Sequence, residues 1–103
     1  MQTQETKPTV PAWLLVSDES ARITLSKPIE VLEIRTETLH LRTPTVRDLR
    51  TCQKAHPGDE IAVDQMLFAS LAEVSVKDIE NLSLKDYERV KYGYFRLVEE
   101  DEF

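Results

Sequence analysis

The sequence predicts an α+β domain: a small N-terminal antiparallel β-hairpin or sheet followed by a bundle of three to four helices. Three observations lead there. Apolar and polar residues alternate between residues 22 and 42, the period of half-buried strands. After residue 45 the apolar spacing changes to the three- and four-residue steps of helices. One phrase, a hydroxyl, an aliphatic, a base, an aspartate and a hydrophobe, recurs as Thr45-Val46-Arg47-Asp48-Leu49, Ser75-Val76-Lys77-Asp78-Ile79 and Ser83-Leu84-Lys85-Asp86-Tyr87.

Each of these phrases is a helix start. The Ser or Thr oxygen accepts from the N–H three residues on, and the acid at that position is expected to answer the cap's own N–H. The aspartate also suits the positive end of the helix.

The strands read in order. Arg22-Ile23-Thr24-Leu25 is half-buried with Ile23 and Leu25 inward. Ser26-Lys27-Pro28 interrupts it, and Pro28 has no N–H to give, which marks an edge or a bend. Ile29-Glu30-Val31 resumes the alternation. Leu32 and Ile34 then fall on the opposite parity, so a turn or bulge is expected near Glu33. Thr38-Leu39-His40-Leu41-Arg42 is a second strand with Leu39 and Leu41 inward. Such a hairpin is marginal alone and needs a helix across its apolar face.

The helices follow. The first is expected over 46–55, with Val46, Leu49 and Cys52 on one side. His56-Pro57-Gly58-Asp59 breaks it and supplies the next cap, Asp59. The second, 60–73, is apolar almost all round, which places it at the centre of the fold or in an oligomer interface. Ser75 opens a short helix to Leu82, and Ser83 the last, 84–98. On the last helix Leu97, Val90, Tyr94, Tyr87, Val98, Leu84 and Phe95 form a wide apolar stripe. Asp86 and Gly93 are expected on the opposite, polar side.

Three segments follow from this. Residues 1–20 are polar with Pro8 and Pro11 and are expected to be a mostly irregular arm. Its apolar patch, Trp13-Leu14-Leu15-Val16, is expected to dock on the core or to meet a partner. Residues 21–98 form the folded domain. Residues 99–103 are an acidic tail, whose charge opposes the helix dipole and favours fraying.

Composition narrows the function. The 103 residues suit one domain. Net charge is −6. Residues 1–52 hold seven bases and seven acids, whereas residues 53–103 hold six bases and twelve acids, so the helical half carries the excess. That speaks against nucleic-acid binding, which needs a basic face. No apolar run approaches the length of a membrane span, and Ala12–Val16 is too short for a signal-peptide core. One cysteine, Cys52, reads as a small buried hydrophobe in a reducing cytoplasm. His40 and His56 do not make a metal site with it. No nucleophile elbow or phosphate loop is written here, so neither catalysis nor a cofactor is expected.

Taken together, residues 22–98 resemble the tail assembly chaperone family of tailed bacteriophages, of the Mu-like type. The resemblance rests on Leu25-Ser26-Lys27-Pro28-Ile29, on Leu41-Arg42-Thr43-Pro44-Thr45-Val46-Arg47-Asp48-Leu49 and on Leu82-Ser83-Leu84-Lys85-Asp86-Tyr87, in that order. Family members often carry an Asp-Gly type turn between the two strands. Here Leu32-Glu33-Ile34-Arg35 stands in its place, and a longer or looser hairpin is expected.

The resemblance implies a binding role in the host cytoplasm. The partner would be the tape measure protein, held soluble until tail tube protein polymerises around it, and the chaperone would be absent from the finished virion. In related phages a longer form arises by ribosomal frameshifting; this chain would be the short form. Alternatives are a structural tail-completion protein, or a small acidic regulator that binds or mimics DNA. Such a chaperone needs exposed apolar surface, and the candidate partner-binding residues are Trp13, Leu14, Met66, Phe68, Tyr92 and Phe95. The same surplus would serve a homo-oligomer.

Overall fold

The computed structural model describes residues 10–99. Among them the chain forms β1 (Leu14–Val16), β2 (Ser20–Val31), β3 (Ile34–Arg42), α1 (Val46–Ala55), α2 (Glu60–Ala72), α3 (Val76–Glu80) and α4 (Leu84–Val98). The three strands make one antiparallel sheet in the order β1-β2-β3. The fold is therefore α+β, with a sheet rather than a bare hairpin. Residues 1–9 of the predicted N-terminal arm and residues 100–103 of the acidic tail lie outside the described residues.

The patch at Trp13–Val16 docks as a strand. Leu14 pairs with Ile23, Leu15 with Arg22 and Val16 with Ala21, and the Thr24 N–H donates to the Trp13 carbonyl at 2.8 Å. Alternation then sorts the faces. The row Leu14, Ile23 and Leu39 is buried, while the neighbouring row Leu15, Arg22 and His40 is exposed. The polar face meets solvent and the apolar face meets α4.

The interruption at Ser26-Lys27-Pro28 is a bulge. Thr24 pairs with Thr38 and Ile29 with Thr36, so β2 places four residues where β3 places one. Pro28 is tolerated in the middle strand because β1 reaches only Ala21 to Ile23. The parity change near Glu33 is the hairpin turn itself. Leu32 and Glu33 connect the paired residues Val31 and Ile34, with φ of 53° and 66°. Two left-handed residues are the mark of a type I′ turn, the tight turn that matches strand twist. The hairpin is thus neither longer nor looser than an Asp-Gly turn would make it. The strain is borne by two L side chains instead. Leu32→Asn with Glu33→Gly is expected to raise unfolding stability by about 1–2 kcal/mol, because these residues suit left-handed backbone. A urea titration would show it as a higher midpoint at unchanged slope; an unchanged midpoint would mean that the turn is unstrained.

Two of the three repeated phrases are full capping boxes. In α1 the Thr45 hydroxyl accepts from the Asp48 N–H at 3.1 Å, and the Asp48 carboxylate accepts from the Thr45 N–H at 2.8 Å. Ser75 and Asp78 repeat this in α3, at 3.0 Å both ways. Asp48 also receives Arg42 in a two-pronged contact at 2.8 and 3.1 Å, which fastens the end of β3 to the start of α1. The guanidinium and the Thr45 N–H hold the Asp48 carboxyl far below the usual carboxylate range.

The third phrase departs from expectation. Ser83 caps α4 by accepting from the Asp86 N–H at 3.2 Å, but the Asp86 carboxylate does not return to the cap. It turns to the bulge and accepts the Ser26 and Lys27 N–H groups at 2.8 and 3.0 Å. Among the described residues it is the buried charged side chain, with no exposed surface. The bulge leaves two strand N–H groups without a ladder partner, and a carboxylate can take both.

α2 occupies the centre, as its apolar circumference predicts. It packs against α1, α3 and β3, and its Phe68 meets Tyr87 and Tyr94 of α4 with ring centroids 6.0 and 5.3 Å apart. Val63, Leu67, Phe68, Ala69 and Leu71 are buried, and so is Cys52 of α1.

Candidate protein-binding site

The candidate surface is set by how α4 lies on the sheet. The sequence places Gly93 and Asp86 on its polar side, but both are buried. A Cβ on Gly93 would stand 3.0 and 3.1 Å from Ile23 Cδ1 and Cγ1 and 3.4 Å from Leu14 Cδ1. The missing side chain lets the helix lie directly on the Ile23 and Leu14 side chains at this point. With Asp86 drawn to the bulge and Gly93 pressed on Ile23, the helix is rotated by about 90° from its apolar stripe, at 100° per residue.

That rotation exposes part of the stripe. Leu84, Phe95 and Val98 are 75%, 64% and 46% exposed, and at 100° per residue they fall on one outward face. Beside them is a groove of roughly 410 Å³ between α2 and α4. It is lined by Asp64, Phe68, Glu88, Lys91, Tyr92, Tyr94 and Phe95. Apolar and aromatic walls with a few charges are what an apolar helix needs from a docking groove.

The groove's charges are tuned by their surroundings. Burial pushes the Asp64 carboxyl up, opposed by the nearby Lys91. Burial, aided by Asp64, likewise raises the Tyr87 and Tyr94 phenols. Lys91 lies 3.6 Å from Glu88 and 5.7 Å from the Tyr87 ring centroid. One end of the groove is braced by Trp13, just before β1. The Trp13 ring meets the edge of Tyr92 at 5.8 Å, and the Arg89 guanidinium sits 5.0 Å over Trp13 while donating to the Thr24 carbonyl at 2.8 Å.

The six residues picked from the sequence separate accordingly. Phe68, Tyr92 and Phe95 come together in the groove, Phe68 as its buried base and Phe95 as its most exposed member. Trp13 adjoins through Tyr92. Leu14 lies in the core under Gly93, and Met66 is half-buried against the core and does not line the groove. The sequence places Leu84 and Val98 in the wide apolar stripe of the last helix, but they are not among the candidate partner-binding residues named above. The signal was a glycine in mid-helix, which marks close approach.

Among the described residues no group of three or more His, Cys, Asp or Glu is placed to hold a metal ion, and no helix is long and apolar enough to cross a membrane. A small α+β domain with an open apolar groove between helices defines a protein-binding module. The family model for phage tail assembly chaperone proteins, "E, or 41 or 14", matches residues 22–99, and the chain belongs to that family. The matched stretch begins after β1, so Trp13, which braces Tyr92, stands outside it. No curated protein and no solved structure matches the chain.

Proposed function

We propose that this chaperone binds the tape measure protein through the α2/α4 groove and the exposed face of α4. It would hold that long helical protein soluble in the host cytoplasm until tail tube protein polymerises around it, and would itself be absent from the mature virion. The role is one of binding, not catalysis. The observation that carries this reading is the rotation of α4, which leaves Leu84, Phe95 and Val98 outside the core while Asp86 and Gly93 are inside. The chain exposes on one face the kind of surface an apolar helix seeks, and its net charge of −6 keeps that surface soluble.

The test is co-expression with the phage's tape measure protein, scored by how much of the latter stays soluble and co-purifies. Phe95→Asp is expected to lower affinity roughly 30-fold, the loss of about 2 kcal/mol typical of a central aromatic. Being surface-exposed, it should leave the melting temperature nearly unchanged. A tape measure protein that aggregates equally with and without this chain would defeat the proposal.

A further inference from the structure

A second surface, on α1, has the opposite electrical character. Arg47, Arg50 and Lys54 are exposed, and with Val46 and Thr51 they line one shallow groove. At 100° per residue the three bases fall within about 60° of arc, spread over about 10 Å of helix axis. The opposite side of the helix carries Leu49 and buried Cys52 toward α2. Among the described residues none of the three bases makes an ion pair or hydrogen bond. Setting their three charges apart from the chain's −6 leaves −9 elsewhere. The patch is an island of positive charge on an acidic protein.

Helix stability does not account for it. Arg47 stands in the first turn of α1, at the positive end of the macrodipole, where cations are disfavoured, and Arg50 in mid-helix gains nothing from the dipole. The one base near the dipole's favourable end is Lys54. Val46 adds a side chain that is 75% exposed at the margin of the same groove.

We infer that the outward face of α1 is a docking surface for an acidic amphipathic helix of a protein partner. Acids on that helix at positions i, i+3 or i+4, and i+7 would match Arg47, Arg50 and Lys54, with an aliphatic or aromatic residue against Val46. Charge complementarity selects this occupant. A short acidic segment covers the patch alone, whereas a nucleic acid extends beyond it into the field of the remaining −9. The surface is separate from the α2/α4 groove and does not depend on its function.

The probe is a fluorescein-labelled, acetylated helical peptide with Glu at those spacings and one Leu beside them. Its isosteric Glu→Gln counterpart and a short DNA duplex serve as comparisons. The full chain is expected to bind the Glu peptide at 50 mM salt and to lose most of that binding at 300 mM. Amide shifts should fall at residues 46–54 and not at 84–98. The triple variant R47E/R50E/K54E is expected to weaken binding at least tenfold. Its Tm should stay close to the wild-type value, because what Arg47→Glu gains at the helix N-terminus offsets what Lys54→Glu loses in the last turn, so lost binding would not reflect unfolding. Phe95→Asp should leave peptide binding intact. Equal binding of the Gln peptide, undiminished binding by the triple variant, or shifts confined to α4 would overturn the inference. DNA binding in preference to the peptide would overturn it in favour of nucleic acid. Self-association abolished by the triple variant would overturn it in favour of a second copy.

Discussion

Asp86→Ala is expected to destabilise the domain by about 3–4 kcal/mol, since the Ser26 and Lys27 N–H groups both lose a charged acceptor supplied from the core. For a domain of this size that lowers the Tm by roughly 15 °C. Asp86→Asn should do nearly as much harm. An amide offers one acceptor oxygen, and its NH₂ would face the second N–H as donor against donor. The effect also has a pH signature. Burial pushes the Asp86 carboxyl up, but the Ser26 and Lys27 N–H groups, with the Ser26 and Ser83 hydroxyls, outweigh it and hold the group below its ordinary value. A folded-state pKa below the unfolded one means stability that is fully present above about pH 4. That stability is lost as pH falls through the folded value. The gap between wild type and Asp86→Asn should therefore be widest near neutrality and close in acid. Urea midpoints from pH 7 to pH 2 would show this. A gap constant with pH would mean that Asp86 acts by packing rather than by charge.

This contact explains what the resemblance-bearing residues do. Leu25-Ser26-Lys27-Pro28-Ile29 and Leu82-Ser83-Leu84-Lys85-Asp86-Tyr87 lie far apart in the chain, and Asp86 joins them through the Ser26 and Lys27 N–H groups. Arg42 and Asp48, both in the middle motif, fasten β3 to α1. The motifs that carry the resemblance are joints of the fold. They set where α4 and α1 lie, and with that which faces of those helices are exposed.

How much of this was legible in the sequence follows from which forces are local. Caps and periodicity act within a few residues, so the starts of α1, α2, α3 and α4 and the inward residues Ile23, Leu25, Leu39 and Leu41 could be read directly. The α2 helix, apolar all round, was readable as central for the same reason. Long-range pairing was not. Leu14–Val16 is too short for its alternation to announce a strand, and it becomes one only because β2 offers Ala21 to Ile23. Asp86 looked like the N3 acid of a capping box because its local sequence is that of Asp48 and Asp78. Its true partners are some 60 residues away. From that one reassignment follow the rotation of α4 and the exposure of Leu84 and Val98. The candidate site was therefore half legible: aromatic residues could be named, but their faces depended on a contact no local pattern encodes.

Gly93 allows the rotation to be tested by substitution. Gly93→Leu has no space beneath it and is expected to cost about 3–5 kcal/mol, at the upper end of overpacking penalties with the helix forced off the sheet. Gly93→Ala sets two effects against each other. Alanine favours the helix by about 1 kcal/mol over glycine. Against this, the new methyl would meet Ile23 Cδ1 at 3.0 Å and Cγ1 at 3.1 Å, and overpacking of that kind costs about 1–3 kcal/mol. Ile23 is fully buried, in a row between Leu14 and Leu39, so its side chain has little freedom to move aside. The net expectation is a loss of about 1 kcal/mol, opposite in sign to helix propensity alone. A double-mutant cycle isolates the cause. Ile23→Val removes Cδ1, the nearer obstacle, and Gly93→Ala should then cost at least about 0.5 kcal/mol less than in the wild type. Strict additivity would mean that the helix is not in contact with Ile23 at this point, and that α4 lies on the sheet by a different face. In that case Leu84, Phe95 and Val98 would return to the core and the α2/α4 docking surface would not exist. The cycle thus bears on the proposed function as directly as a binding assay, and it needs only the isolated chain.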